Sequence, residues 1–163
     1  MWRTNRLNSI HEGTTGIQAL DLLGRKILRD GSGIPVLHTR IRRTVEAAAA
    51  LADLEGHAKA LSAAWRSVAD AIERLRAGES RAALDNATPF LWAFGHVVVA
   101  WLWLDQAVAA TSSPAGAPDS DLVDGKLRAC RFFFECELHK AAPLLAFVAS
   151  GSDVAADAPV GIF

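Results

Sequence analysis

The chain has 163 residues, of which 51% are hydrophobic and 21% are charged, and its formal net charge is −1 at pH 7. This composition is typical of a globular protein with a sizeable core, and it excludes an intrinsically disordered chain. The near-zero charge gives no support to a general binder of nucleic acid or anionic membrane. The distribution is uneven, since residues 1–43 contain eight Lys and Arg against three Asp and Glu. That basic segment would suit an anionic ligand or an acidic partner surface equally well.

The apolar residues recur at helical spacing and alternating runs are short, so the sequence predicts an all-α helical bundle of about four to six helices without a sheet. After a turn over residues 8–15, Thr15 is predicted to N-cap a helix that runs to about Arg29. Its predicted apolar face consists of Ile17, Leu20, Leu23, Gly24 and Ile27. The Gly- and Pro-containing segment 30–35 then breaks the chain, which predicts two domains, residues 1–30 and 36–152.

A long helical region is predicted from about Leu37 to Ala77, divided near Gly56. Its apolar residues follow alternating spacings of three and four, which indicates a seam that packs against other helices. The seam comprises Leu51, Leu54, Ala58, Leu61, Trp65, Val68, Ile72 and Leu75. The basic stretch 38–43 is interpreted as a solvated helix face, because no recognition-helix pattern accompanies it.

A third helical region runs from about Ser80 to Ala110, and Ala87–Leu104 contains no Asp, Glu, Lys or Arg. Eighteen residues is the lower limit for a membrane span. His96 at mid-depth, Pro89 near the start and the absence of basic flanks favour a central bundle helix buried on all sides.

The last predicted helix runs from about Leu122 to Ala149, and Pro143 is expected to kink it because proline crowds the carbonyl of His139. The predicted buried stripe comprises Leu127, Cys130, Phe134, Leu138, Ala141, Leu145 and Val148. Cys130 and Cys136 would lie about 120° apart on a helix and so cannot bridge each other. Two buried thiols and no apparent signal peptide predict a cytoplasmic protein.

The most informative segment is residues 9–18, Ser-Ile-His-Glu-Gly-Thr-Thr-Gly-Ile-Gln. It places one carboxylate, Glu12, on a Gly- and Thr-rich turn directly before the first helix. Backbone N–H groups at a turn and a helix N-terminus can hold an anionic or electron-rich ligand. The carboxylate beside them could serve as a base.

Residues 10–26, Ile-His-Glu-Gly-Thr-Thr-Gly-Ile-Gln-Ala-Leu-Asp-Leu-Leu-Gly-Arg-Lys, closely resemble the late signature of the acyl-CoA dehydrogenases. Residues 94–98, 101–104 and 125–138 resemble the extra helical C-terminal domain of one subgroup. That subgroup includes the dehydrogenases of acyl-CoAs with a methylthio chain. The resemblance implies an oxidoreductase of fatty-acid metabolism that uses FAD and acts on an acyl-CoA thioester.

The resemblance also implies a role for each residue of the turn. Glu12 would remove the substrate α-proton, and the backbone of Gly13 would lie near the thioester. Thr14, Thr15 and Gly16 would face the flavin, and Gln18 would reach the flavin of a neighbouring subunit. The family's helical N-terminal domain and β-rich middle domain have no counterpart in this sequence. The chain alone is therefore expected neither to bind FAD tightly nor to dehydrogenate an acyl-CoA.

Two interpretations remain open from the sequence. The chain is either part of such an enzyme, completed by a companion chain or by missing domains, or a stand-alone helical module for interaction and oligomerisation. A homo-oligomer, specifically a dimer, is expected because Leu20, Leu23 and Ile27 would lack partners within the chain. Glu135, Cys136 and His139 fall within one helical turn, but no second cluster completes a ligand set, so no metal site is predicted.

Overall fold

A computed structural model describes residues 14–78, 80–112 and 120–152, and this part of the chain contains helices and no strand. The all-α fold class is therefore confirmed. The first helix, α1, is continued by a π-helical segment, and the last helical region contains a π-helical and a 3-10 segment. In chain order the elements are α1 (Thr15–Leu20), the π segment Asp21–Asp30, α2 (Gly33–Ala49), α3 (Glu55–Ala77), α4 (Ser80–Asp85), α5 (Ala87–Thr111), α6 (Ser120–Phe132), the π segment Phe133–Glu137, the 3-10 turn Leu138–Lys140 and α7 (Ala141–Ala149).

Helix α5 is the centre of the bundle and contacts α1, α2, α3, α6 and α7. Phe90, Val97 and Leu104 on its inner face are completely buried. By length and composition α5 could cross a membrane, and 33% of its most apolar window is buried in the bundle. The expectation of burial on all sides is wrong, because the outer face of α5 leaves large apolar side chains exposed.

Helices α2 and α3 form an antiparallel pair, and the predicted apolar seam is confirmed. Every seam residue from Leu54 to Leu75 is buried, and Leu51 at the connection is half-buried. The division near Gly56 falls at residues 50–54, just before α3 begins. The indole Nε1 of Trp65 donates to His38 Nδ1 at 2.7 Å, which ties the two helices together.

A polar contact joins α2 to α5 inside the bundle. Thr44 is only 5% exposed, although it is a polar residue. Its Oγ1 accepts a hydrogen bond from Trp101 Nε1 at 2.9 Å and donates one to Asp105 Oδ1 at 2.8 Å. Both functions of the hydroxyl are therefore used, which is the condition for burying such a group at low cost.

The first helix packs into the same core as the rest of the chain. Ala19, Leu23 and Ile27 are buried and recur every fourth residue, whereas the predicted face also included Ile17 and Leu20, which are exposed. The prediction that Leu23 and Ile27 lack partners is wrong for this reason. The division into domains 1–30 and 36–152 stays a prediction.

The first helix ends at Gly31, whose φ of +67° is in the left-handed region that glycine adopts readily. The guanidinium of Arg76 on α3 donates to the carbonyl of Ile27 at 3.0 Å, which satisfies one acceptor of the last turn. A side chain at position 31 would approach this guanidinium to 2.8 Å. The end of the helix is thereby held against α3.

The last helical region is interrupted over residues 133–140, immediately before the turn that contains Pro143. The predicted distortion is therefore confirmed. Pro143 is the third residue of α7, where a missing N–H costs little because first-turn donors lack helical partners. The predicted stripe is buried except for Leu127, which is half-buried. Cys130 is buried, but Cys136 is exposed, which corrects the expectation of two buried thiols.

Candidate functional site

The described part of the predicted site is the start of the first helix. Thr14, with φ −75° and ψ 160°, is extended and occupies the N-cap position, so the helix starts at Thr15 rather than being capped by it. The carbonyl of Thr14 accepts the N–H of Gln18 at 3.1 Å. The Thr14 side chain makes no capping hydrogen bond, so its hydroxyl is not used to close the helix start.

This helix start lies at the surface. Thr14 and Gln18 are exposed, and Thr15 and Gly16 are half-buried. A Cβ at position 16 would meet only Thr14 Oγ1, at 4.0 Å, so the backbone of Gly16 can be approached closely by another molecule. These four residues can therefore form one wall of a ligand site.

Glu12 and Gly13, the predicted base and thioester contact, lie outside the described residues, as does His11. The structure thus brings together Thr14, Thr15 and Gly16 on one turn. It does not test the carboxylate or its distance from them. The assignment of Glu12 stays a prediction.

Much of the basic charge near the first helix is already paired. Arg25 forms two hydrogen bonds to Asp21, and Lys26 lies 3.3 Å from the same carboxylate. The hydrogen bond from Arg25 is the main cause that lowers the pKa of Asp21. Arg42 on α2 likewise bonds Glu46 at 2.6 Å. Local pairs therefore reduce the basic surplus that the sequence assigned to this part of the chain.

The sequence analysis missed a groove between α3 and α7. It has a volume of about 300 Å³ and is lined mainly by alanines, with Phe134, Leu138 and His139 at one end. A second hollow of about 450 Å³ follows along the same two helices and carries Asp70 and Arg74. The alanine-rich segments 58–64 and 141–149 could have indicated this groove in the sequence, because alanines on facing helices leave space at the surface.

The described residues contain no group of three or more His, Cys, Asp or Glu side chains that could hold a metal ion. Glu135 is bound by Arg131 at 2.7 Å. His139 lines the groove between α3 and α7, and Cys136 faces solvent. The one candidate triplet in the sequence is therefore spread over different surroundings.

The fold and the described site define an all-α bundle that presents one open helix start at its surface. The chain belongs to the family described as acetyl-CoA dehydrogenase C-terminal like, whose model matches residues 37–159. The family prediction made from residues 10–26 and from the helical segments is thereby confirmed at the level of the family.

Two curated relatives have similar sequences. The chain is 31% identical over 146 residues to the 3-methylmercaptopropionyl-CoA dehydrogenase of Ruegeria pomeroyi, with 81% of this chain and 23% of the relative covered. It is 30% identical over 154 residues to a broad-specificity linear acyl-CoA dehydrogenase of Mycobacterium tuberculosis, with 80% of this chain and 24% of the relative covered. The chain thus spans about a quarter of the length of these relatives.

Proposed function

We propose that this chain is the C-terminal part of an FAD-dependent acyl-CoA dehydrogenase, with Glu12 as the base that removes the substrate α-proton. The observation that carries the proposal is the order of two features in one chain. The signature at residues 10–26 immediately precedes the segment that matches the C-terminal family, residues 37–159. Both relatives are named as dehydrogenases of acyl-CoA compounds, which agrees with the activity that the signature implies.

The residue types suit the chemistry. A proton next to a thioester is weakly acidic, so its removal needs a positioned base and hydrogen-bond donors to the carbonyl oxygen. The carboxylate of Glu12 would supply the base, and the backbone N–H of Gly13 would lie near the thioester. FAD held beside Thr14, Thr15 and Gly16 would supply the acceptor for the hydride of the β-carbon. Burial of Glu12 by the incoming acyl chain would raise its pKa and make it a stronger base.

The described residues fit a flavin only as one side of its site. Gly16 leaves its backbone open, and the hydroxyl of Thr14 is not engaged as a cap. A cofactor of this size needs a cleft that covers most of its surface. We therefore propose that the chain alone is inactive and that it is located in the cytoplasm. A companion segment or chain would complete the site, or a neighbouring copy would do so through Gln18.

A reconstitution experiment tests the assignment of Glu12. The chain is fused to, or mixed with, the preceding domains of a relative, and flavin reduction by acyl-CoA is followed near 450 nm. Glu12→Gln keeps shape and hydrogen bonding but removes the basic charge, so flavin and acyl-CoA should bind while reduction slows by roughly 10²-fold or more. Glu73→Gln, an exposed glutamate on α3, is the matched control and should reduce flavin like wild type. Unchanged reduction by Glu12→Gln would refute the assignment.

A second candidate is a helical interaction module without catalysis. It is favoured by the single core that α1 to α7 share, because these helices bury their apolar sides against one another without any further domain. FAD titrations of the isolated chain and of the reconstituted protein distinguish the part of an enzyme from the non-catalytic module. A tight flavin complex with turnover of acyl-CoA would contradict inactivity of the isolated chain. Failure of the reconstituted protein to bind flavin would favour the module.

A further inference from the structure

The two hollows between α3 and α7 form one continuous groove, here called the α3–α7 groove. The residues that belong to the walls of both hollows are Ser67, Ala142 and Leu145. The hollow of about 450 Å³ forms the polar end, with Arg74 of α3 opposite Ser150 of α7. The hollow of about 300 Å³ forms the apolar end, which reaches Phe134. The groove therefore leads from the end of α7 back to the interrupted helical region at residues 133–140.

The chain leaves α7 at the polar end of the α3–α7 groove. Gly151 follows Ser150 and has a φ of +65°, a left-handed conformation that ends the helix and turns the chain. The Asn86 side chain, which is 2% exposed, donates to the carbonyl of Ser152 at 3.0 Å. Ser152 is the last described residue, so the eleven residues that follow it start from a fixed point two residues beyond the groove wall.

These residues, 153–163, have a polar first half and an apolar second half. Their sequence is Asp-Val-Ala-Ala-Asp-Ala-Pro-Val-Gly-Ile-Phe. Both charged residues, Asp153 and Asp157, fall among the first five positions, and residues 158–163 carry no charge. Pro159 and Gly161 disfavour a helix, and proline favours an extended backbone before it. Read from Ser150, the groove has the same order, polar first and apolar second.

The length of the segment suits the length of the groove. Along α7 and the interrupted region, Ser150 and Phe134 are separated by about 24 Å at the helical rise of about 1.5 Å per residue. An extended chain rises about 3.3 Å per residue, so residues 153–163 can reach about 36 Å. Val160 then falls about 23 Å from residue 153, at the level of Phe134. The segment is thus long enough to turn after Gly151 and still reach the apolar end.

We propose that residues 153–163 fold back over the end of α7 and bind in the α3–α7 groove, antiparallel to α7. Asp153 lies beside Arg74, whose guanidinium forms no ion pair with any other residue that the structure describes. Val160 packs against Ala60 and Phe134, and its burial with the neighbouring apolar residues provides the favourable free energy. The small side chains of residues 154–156 pass along the alanine walls.

Covalent attachment favours this segment over a separate partner. A segment that starts at the groove is present there at an effective concentration of about millimolar, whereas a separate molecule must reach that concentration in solution. The family model matches residues 37–159, so the first seven residues of the segment belong to the matched domain. The inference concerns a contact within the chain and does not depend on Glu12 or on flavin.

Pairs of cysteines in the 163-residue chain test the position of the segment. Cys136→Ser first removes the exposed thiol, while Cys130 is buried. Ala60→Cys with Val160→Cys should then form a disulfide within one chain at least roughly tenfold faster than Ala47→Cys with Val160→Cys. Ala60 on α3 and Ala47 on α2 are both exposed helical alanines, so the second pair is the matched control. Mass spectrometry identifies the linked peptides.

A charge placed in the groove provides a second test without new cysteines. Elastase cleaves after small residues, so it should cut residues 154–158 slowly while they lie in the groove. Ala63→Glu puts a carboxylate into the apolar end and should speed this cleavage at least roughly tenfold, because the segment is released. Ala47→Glu is the control and should be cleaved like wild type. Circular dichroism establishes that each variant is folded.

Three outcomes would overturn the proposal. Equal disulfide rates for the Ala60 and Ala47 pairs would show that the segment has no preference for the groove. A disulfide between Ala60→Cys and Val160→Cys that forms only between two chains, and faster at higher concentration, would assign the groove to the segment of a second copy. Cleavage by elastase that Ala63→Glu leaves unchanged would exclude the apolar end as the binding surface.

Discussion

Replacement of Thr44 by valine tests how the bundle is held together at its centre. Valine has nearly the shape of threonine but lacks the hydroxyl, so the substitution removes the polar contact with little change in volume. The Thr44 hydroxyl has one proton, which goes to Asp105 at 2.8 Å rather than to the Arg40 carbonyl at 3.4 Å. Its oxygen also accepts from Trp101 Nε1 at 2.9 Å.

The expected cost follows from the surroundings of each partner. The Asp105 carboxylate is exposed and can bond water instead, so loss of that hydrogen bond contributes little. Trp101 is a half-buried residue whose N–H loses its acceptor, which costs about 1–3 kcal/mol. For a chain of this length the melting temperature should fall by roughly 2–4 °C for each kcal/mol lost.

A double-mutant cycle in urea isolates the contact. The free energy of unfolding is measured for wild type, Thr44→Val, Trp101→Phe and the double variant, and the midpoints should shift without a change in slope. Because both single variants break the same bond, the double variant should lose less than the two single losses together, by about 0.5–1.5 kcal/mol. Additive losses to within about 0.3 kcal/mol would refute the role given to Thr44. Thr44→Ser, which keeps the hydroxyl, should retain the coupling with Trp101.

Three further measurements check other parts of the structure. Gly31→Ala should lower the free energy of unfolding by about 1–2 kcal/mol because position 31 has a positive φ. Gly33→Ala, in open space at the start of α2, is the control and should be neutral or stabilising. Equal effects of the two substitutions would contradict the left-handed conformation of Gly31. Cys136 is exposed and should react with a thiol reagent in the native protein. Burial raises the pKa of Cys130 to about 11, so this thiol should react only after unfolding. Two reactive thiols in the native protein would contradict the burial of Cys130. Burial lowers the pKa of His57, so the unfolded chain binds more protons than the folded chain at acidic pH. The free energy of unfolding should therefore fall as pH drops through about 6.5, the ordinary pKa of histidine. In His57→Gln the unfolding midpoint should depend less on pH between about 7.5 and 5.5 than it does in wild type.

The sequence alone determined the helical class and most of the buried positions. In α3, residues from Ala58 to Leu75 repeat at three and four, and all of the predicted seam positions in that range are buried. This agreement has a physical reason. The spacing of apolar residues within an amphipathic helix identifies its apolar side, whichever helices that side packs against. The family was also evident from residues 10–26, because a signature is a local property of the sequence.

The tertiary structure decided which apolar surfaces find a partner. Periodicity placed Ile17, Leu20, Leu23 and Ile27 on the buried side of the first helix. Leu23 and Ile27 in the π-helical continuation are buried as predicted, but Ile17 and Leu20 are exposed and Ala19 is buried in α1. In α5 nearly every residue is apolar, so no pattern in the sequence distinguishes Phe90, which is buried, from Trp92, which is exposed. That difference depends on where five neighbouring helices lie, and their positions are set by long-range packing that a local pattern does not contain.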